Sequence, residues 1–137
     1  MARDPKSFCS INLALEVFGD KWTLLIIRDI MLGDKRHFRE ILQSEEKIST
    51  NILTDRLNML ESRGILTKGN DPSHKQKFVY SLTQKGIDLL PVIAAMAQWS
   101  LKHEPVSAIS QQHTQPIAEG GPELIGRLSD ELATKHL

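Results

Sequence analysis

Residues 49–68 carry the sequence STNILTDRLNMLESRGILTK, in which a helical period gives way to a strand-like run. Apolar residues recur three and four positions apart between Ile52 and Leu60, as on the buried face of an amphipathic helix. Ser49 is of a type that caps helix N-termini, and Gly64 is of the type that ends helices. We therefore predict a helix from Ser49 to about Arg63, followed at once by a β-strand.

Three helices are expected before this one. The spacing of apolar residues predicts helices over Ser10–Phe18 and Lys21–Leu32, capped by Ser10 and Asp20, and a short helix over His37–Gln43. The second of these is mostly apolar, so it is expected to be the central buried helix. A short helix joined by a polar turn to a longer one outlines a helix-turn-helix.

The sequence pattern after Gly64 predicts a β-hairpin. Strands are expected over Ile65–Lys68 and Phe78–Leu82, joined by a turn over Gly69–Lys77 that is rich in turn formers and ends basic. A hairpin directly after a helix-turn-helix is typical of a wing. The predicted fold class is therefore mainly α with a small β-hairpin wing, a winged helix-turn-helix.

Two more helices are expected in the C-terminal third. Thr83 is expected to cap a long helix from Gln84 to about His103, kinked at Pro91 because proline lacks the N–H of the helical ladder. Residues 106–122 have the Ser, Gln, Pro and Gly content of a linker, and an apolar stripe predicts a helix over Glu123–His136. That helix is either a half-ordered tail or docks on a partner subunit. Residues 1–103 are thus predicted to form the winged domain, and residues 104–137 the linker and C-terminal helix.

The composition limits the classes of protein to which this chain can belong. The chain has 137 residues, of which 40% are hydrophobic and 25% charged, which suits one compact core. Neither a signal peptide nor a membrane span is expected, and the single cysteine excludes an internal disulfide, so a cytoplasmic location is predicted. Net charge is zero, but residues 21–85 hold twelve Lys or Arg against eight Asp or Glu, and residues 104–137 hold two against five. A basic middle block allows phosphate contacts.

The helix from Ser49 to Arg63 is the strongest candidate for binding DNA bases. Its outward face near the start is expected to carry Thr50, Asn51 and Thr54, short polar side chains that can meet base edges in the major groove. Base contacts concentrate at the N-terminal end of a recognition helix. Ser49 fits both a capping role and a phosphate contact through the helix N-terminus.

Basic residues on either side of this helix are candidate phosphate ligands. They are Lys35, Arg36 and His37 before the third helix, and His74, Lys75 and Lys77 at the wing. Arg56 has two interpretations: an ion pair within the domain, with Glu40 or Glu61, or a phosphate contact. The Glu45-Glu46-Lys47 turn is acidic, which is unfavourable for phosphate binding nearby.

Other chemistry finds little support. The histidines at 37, 74, 103, 113 and 136 lack metal-ligand spacing, and no phosphate-cradling glycine motif or catalytic base for Cys9 is present. Neither a metal, a cofactor nor an enzymatic activity is therefore expected. The alternative function is a winged-helix protein-interaction module that does not bind DNA. It is less favoured, because an interaction face usually exposes apolar anchors.

The chain resembles the HxlR-type transcription regulators, relatives of the MarR type, over about Cys9 to His103. The matching motifs, in order, are Cys9-Ser10, Ala14-Leu15, GDKWTLLI at 19–26, Ile48-Ser49, LTDRL at 53–57, LESRG at 60–64, VYSLT at 79–83, Gly86, LPV at 90–92 and Trp99. The resemblance implies a winged-helix homodimer, held by its first and last long helices, that represses or activates a nearby operon, often in response to stress or a small molecule. A dimer of this kind is expected to bind an imperfect palindrome of double-stranded DNA. Ser10 departs from the family, which usually has proline there.

Cys9 is the candidate sensor. It precedes a helix N-terminus with Lys6 nearby, and both features favour the thiolate. Some members of the family it resembles sense electrophiles or oxidants with a cysteine at this position. The alternative is a small apolar residue packed under the first helix.

Overall fold

The computed structural model describes residues 4–137, apart from the side chains of residues 75 and 76. This part of the chain forms eight helices and one two-stranded antiparallel sheet. In chain order they are α1 Ser10–Phe18, α2 Trp22–Met31, α3 Phe38–Leu42, α4 Thr50–Ser62, β1 Leu66–Asp71, β2 His74–Leu82, α5 Gln84–Ile87, α6 Leu90–His103, α7 Ala108–Glu119 and α8 Gly121–His136. The mainly helical fold with a hairpin wing is as predicted.

The core is built around α2 and α4. Ile26, Ile27 and Ile30 of α2 pack with Leu53 and other fully buried residues of α4, the wing base and α6. Each side chain of this size contributes about 1.5–3 kcal/mol when it is removed from water. The apolar spacing of both helices thus fixes which face of α4 points inward.

The helix starts show which caps formed. Ser49 caps α4, since its Oγ accepts the N–H of Ile52 at 3.2 Å, and Asp20 Oδ2 accepts the N–H groups of Trp22 and Thr23 at 2.9 and 3.0 Å. The prediction that Ser10 caps α1 was wrong: Ser10 is the first helical residue and Cys9 holds the N-cap position in extended backbone.

The wing is longer and its turn tighter than predicted. The strands pair from Leu66 with Leu82 to Asp71 with His74, with an irregularity between Asn70 and Asp71. The predicted turn formers at its ends therefore lie in strands. The turn itself lies over residues 72–73, where Asp71 Oδ1 accepts both the N–H and the hydroxyl of Ser73.

The helix expected over residues 84–103 is two helices. A short α5 ends before α6, which begins with Leu90 and has Pro91 in its first turn. Proline is tolerated there because the first turn has no intrahelical partners for its N–H groups. Pro91 thus starts a helix and does not kink one.

The predicted linker contains a helix, α7. Ser107 caps it through a hydrogen bond from the N–H of Ser110, and Ile117 is buried in the core. Packing against α6 therefore outweighs the low helix propensity of the Ser and Thr residues of α7 and of Pro116 inside it. The last helix α8 begins two residues earlier than predicted and packs on β2, α5, α6 and α7 of its own chain, with Leu132 buried. Its apolar stripe thus faces its own chain, which neither predicted alternative, a half-ordered tail or docking on a partner subunit, anticipated. No helix within residues 4–137 has the length and apolar character to cross a membrane.

Candidate nucleic-acid interface

Helix α4 presents a polar face to solvent. Leu53, Leu57 and Leu60 point into the core, which leaves Thr50, Asn51 and Thr54 exposed at the N-terminal end. Asn58 is exposed one turn after Thr54. Amide and hydroxyl groups on one exposed helix face can donate to and accept from base edges.

A concave surface joins this face to the wing. An open cavity of about 670 Å³ lies between α3, α4 and the hairpin. Its lining residues are His37, Phe38, Arg39, Glu40, Thr54, Leu57, Asn58, Lys68, Lys77, Phe78 and Tyr80. Four of them are basic and one is acidic, so the surface suits a polyanion. We call it the α4–wing groove.

Sequence reasoning missed two basic residues of this groove. Arg39 is exposed on α3, and the ammonium group of Lys68 lies 4.2 Å from the ring centroid of Phe78. The predicted strand Ile65–Lys68 ends at Lys68, so the sequence does not indicate to which face of the hairpin its side chain points. In the observed register it pairs with Tyr80, and the strand alternation turns both toward the groove.

Lys35 and Arg36 have internal partners. Arg36 Nε donates to the carbonyl of Tyr80 at 2.7 Å, its Nη2 donates to Ser81 Oγ, and its carbonyl accepts the N–H of Tyr80 at 2.8 Å. Lys35 Nζ lies 3.6 Å from Asp29 Oδ2. Both side chains therefore attach the segment before α3 to the wing or to α2.

His37 bridges α3 and the wing tip. Its Nδ1 lies 2.7 Å from Glu40 Oε1, and its Nε2 lies 2.8 Å from Asp71 Oδ2. Because carboxylates only accept, both ring nitrogens donate when the imidazole is protonated. The hydrogen bond to Glu40 and then that to Asp71 raise the pKa of His37. The ring thus fixes the wing relative to α3.

Arg56 forms an ion pair within the domain. Its Nε donates to Asp20 Oδ2 at 3.0 Å, and it also bonds Asp55. The predicted partners, Glu40 and Glu61, were wrong, because the pairing partner lies 36 residues away at the start of α2. Burial acts to raise the pKa of Asp20, but hydrogen bonds from Thr23 and Arg56 outweigh it and hold the pKa at about 2. The pair ties α4 to the junction of α1 and α2.

The acidic turn before α4 is neutralised in part. Arg28 Nη1 and Nη2 donate to the two carboxylate oxygens of Glu46 at 2.9 and 2.8 Å. This bidentate pair is the main reason that the pKa of Glu46 falls to about 2. Glu46 therefore anchors the turn to α2, and its negative charge is balanced by Arg28.

The remaining predicted contacts lie at the exposed edges. Ser49 is exposed with its hydroxyl engaged in the cap, and Lys77 is exposed on the wing and lines the groove. His74 is exposed at the wing tip. The side chain of Lys75 lies outside the described part of the structure.

Cys9 and apolar side chains of α1 and α6 are also exposed. The thiol is exposed and not packed under α1, and hydrogen bonds from the backbone of Asn12 and Ile11 lower its pKa. Helix α1 buries none of its residues, and Ile11 and Leu15 are 71% and 58% exposed. On α6, Trp99 is 58% exposed.

Within the described residues, no three His, Cys, Asp or Glu side chains cluster in a way that could hold a metal ion. The exposed polar face of α4 and the basic groove beside it remain the candidate site.

Comparison with known proteins identifies the family. The model of the HxlR-like helix-turn-helix family matches residues 17–107. An HTH-type transcriptional regulator of Methanothermobacter thermautotrophicus is 32% identical over 70% of this chain and 72% of its own. The regulator YodB of Bacillus subtilis is 37% identical over 64% and 77%. Against regulators of Synechocystis and Mycobacterium tuberculosis the match spans 64% and 60% of those chains.

Solved structures agree with this assignment. The crystal structure of PA1607 is similar with a TM-score of 0.67 and 30% identity, over 75% of this chain and 72% of that one. The reduced form of YodB is similar with a TM-score of 0.58 and 32% identity, over 74% and 100%. Proteins of this family are transcriptional regulators and not enzymes. The chain belongs to the HxlR-like helix-turn-helix family of transcriptional regulators.

Proposed function

We propose that this chain is a sequence-specific DNA-binding regulator that inserts α4 into the major groove and lays its wing along the adjacent backbone. The observation that carries the proposal is the exposed face of Thr50, Asn51 and Thr54, which continues into the basic α4–wing groove. Base readout by α4 gives specificity, while Lys77, Lys75, His74, Arg39 and Lys68 supply phosphate attraction. Ser49 contributes through the exposed N-terminus of α4.

Four predicted contacts receive a different role in this proposal. The side chains of Arg36, His37 and Arg56 donate hydrogen bonds to protein acceptors, and Lys35 lies beside Asp29. We propose that they hold the wing, α3 and α4 at the spacing that DNA requires, so their loss changes the geometry of the interface. Direct phosphate contact is assigned to the exposed basic residues.

The test is fluorescence anisotropy of the protein with DNA from upstream of its own gene and with scrambled DNA, at several salt concentrations. Tighter binding to the upstream DNA that weakens steeply with salt is expected. Lys77→Ala should weaken binding to all sequences about equally and reduce the salt slope by about one unit. An unchanged salt slope would show that Lys77 does not contact the DNA phosphates. Absence of binding to either DNA at low salt would favour a protein-interaction module.

We propose that the active form is a homodimer held by α1 and α6. Both helices expose apolar side chains that a second copy would cover, among them Ile11, Leu15, Met96 and Trp99. Two recognition helices would then lie about 34 Å apart and bind an imperfect palindrome. Sedimentation equilibrium should give twice the chain mass, and Trp99→Asp should give the monomer mass. A monomeric wild-type protein at micromolar concentration would contradict the proposal.

Repression is the proposed sign of regulation. A dimer that covers more than one turn of promoter DNA excludes RNA polymerase from the same sequence. Transcription in vitro from the cognate promoter should fall as protein is added. A rise in transcript would show activation.

We also propose that Cys9 senses thiol-reactive compounds. Its exposure and lowered pKa favour attack by the thiolate, and solved structures of YodB include a reduced form and a diamide-treated form. With one cysteine per chain, oxidation by diamide joins two Cys9 thiols from two subunits in one disulfide, and two electrons and two protons pass to the reagent. Such a crosslink would change the spacing of the recognition helices.

Diamide should therefore change the DNA affinity of the wild type and leave that of Cys9→Ser unchanged. Non-reducing electrophoresis should show a crosslinked dimer only for the wild type, and a reducing agent should restore the original affinity. Equal affinities before and after treatment of the wild type would contradict a sensing role.

A further inference from the structure

The end of α8 contacts the base of the wing through a histidine. The ring Nδ1 of His136 accepts the backbone N–H of Leu82, the last residue of β2, at 3.0 Å. Since a backbone N–H only donates, Nδ1 must carry no proton, and the proton of the neutral ring lies on Nε2. In the described part of the chain, Nε2 of His136 is the buried side-chain polar atom without a hydrogen-bond partner.

The charges around this ring disfavour its protonation. Burial, and then the guanidinium of Arg36, lower the pKa of His136 to about 4; Lys135 acts in the same direction and Asp34 in the opposite one. Arg36 is fixed in place by its bonds to Tyr80 and Ser81.

Helix α8 packs on β2, α5, α6 and α7, and the ionisable groups of α5, the element that follows Leu82 in the chain, have partners of their own. Lys85 donates to the carbonyl of Arg63, and Asp88 accepts from Gln84. Neither Lys85 nor Asp88 therefore stabilises a charge on His136. The docked position therefore suits a neutral imidazole.

We propose that α8 is a clasp on the winged domain that His136 opens on acidification. An imidazolium would point an N–H from Nδ1 at the N–H of Leu82, so the hydrogen bond becomes a clash of two donors. The protonated ring would also remain beside Arg36 with its second N–H unpaired. The charged ring is hydrated again when it leaves the site, and α8 moves with it. Helix α8 and His136 lie beyond the residues matched by the family model, which end at residue 107, and the clasp does not depend on the proposed DNA binding.

The direction of the pH dependence follows from the lowered pKa. The undocked state binds a proton on His136 near its ordinary pKa of 6.5, whereas the docked state binds it only near 4. Docking is therefore fully favourable above pH 6.5 and weakens as the pH falls from 6.5 toward 4. His37 responds in the opposite sense, because its pKa is raised, so a global melting curve would mix the two effects.

Release is expected to be local. Leu132 is the buried residue that α8 contributes to the core, and Ile125, Leu128 and Ala133 are only partly buried against it, whereas α2 and α4 contribute fully buried side chains. Segments with few buried contacts open at a lower free energy than the core. Acid should therefore free α8 while α4 stays folded.

The test is a pH titration of the full chain by NMR, with ¹⁵N labels on backbone and imidazoles. At pH 7.5, Nδ1 of His136 should show the shift of an unprotonated nitrogen and Nε2 that of a protonated one. Between pH 6.5 and 4, protonation of His136 should coincide with loss of the Leu82 amide protection and of helical shifts over residues 121–136. Amides of α4 should keep their protection.

Variants separate the histidine from general acid effects. His136→Asn keeps an acceptor near the position of Nδ1 and cannot be protonated, so α8 should stay docked across this range. His113→Asn, at an exposed position on α7, is the matched control and should release α8 like the wild type. The opposite tautomer at pH 7.5, protonation without release, or equal release in His136→Asn would each overturn the proposal. If α8 of the His136→Asn variant does not dock at any pH, the proposal is tested by the tautomer of His136 at pH 7.5 and by the pH titration of the wild type.

Discussion

Replacing Arg28 by alanine is expected to destabilise the winged domain by about 2–4 kcal/mol, because it leaves two carboxylates without their main partner. Arg28 donates to Glu46 through both terminal nitrogens and to Asp29 Oδ1 through Nε and Nη2 at 3.0 and 2.8 Å. The Asp29 side chain is 8% exposed and keeps only Lys35, at 3.6 Å. Glu46 would lose the bond that holds the turn before α4 on α2.

Urea unfolding at neutral pH measures this effect. Glu46→Gln is the matched control, since it keeps an acceptor for Arg28 and leaves Asp29 paired, and it should cost less than Arg28→Ala. The pKa of Glu46 is lowered to about 2, so its contribution is present above its ordinary pKa of 4.5 and is lost as the pH falls toward 2. Stability of Arg28→Ala within about 0.5 kcal/mol of the wild type, the range of ordinary surface substitutions, would contradict this account.

Local signals predicted most of the elements. The Ser49 cap, the Asp20 cap and the apolar spacing of α2 and α4 act within a few residues, and these two helices begin and end within about one residue of the predicted bounds. The inward face of α4 followed from the same spacing, and with it the exposure of Thr50, Asn51 and Thr54. These three residues are the part of the candidate site that sequence determines locally.

The remaining features depend on contacts between distant residues. Arg36 bonds Tyr80, 44 residues away, and Arg56 bonds Asp20, 36 residues away, and neither separation has a sequence period. Helix α7 exists because α6 offers it a surface, which its own composition does not indicate. The groove position of Lys68 required the strand register, and that depends on where the turn forms.

The ion pairs also explain why a chain without net charge can present a basic surface. Asp20, Asp29 and Glu46 are paired with Arg56, Lys35 and Arg28, away from the groove. Arg39, Lys68 and Lys77 line the groove. The charge of the α4–wing groove is therefore set by which carboxylates are paired inside the domain, and a count along the sequence underestimates it.

Asn51→Ala is expected to relax the sequence preference of DNA binding at one base pair by about 1–3 kcal/mol, which corresponds to about 5- to 150-fold in relative affinity. Asn51 is the second residue of α4 and is exposed, so its amide can donate and accept at the same time on a base edge such as that of adenine. Alanine at this exposed position costs no burial, and helix propensity improves slightly. Binding to scrambled DNA should therefore stay unchanged, because phosphate contacts dominate it.

Selection from randomised duplexes, followed by competition anisotropy with single-base variants, gives the preference at each position. Asn58→Ala is the matched control: the same side chain is removed from the same helix, seven residues further along and away from the N-terminal end. It should change the preference less than Asn51→Ala, since base contacts concentrate at the start of a recognition helix. A larger effect at Asn58 would mean that α4 enters the groove by its middle, and an unchanged preference in both variants would place base readout on another element.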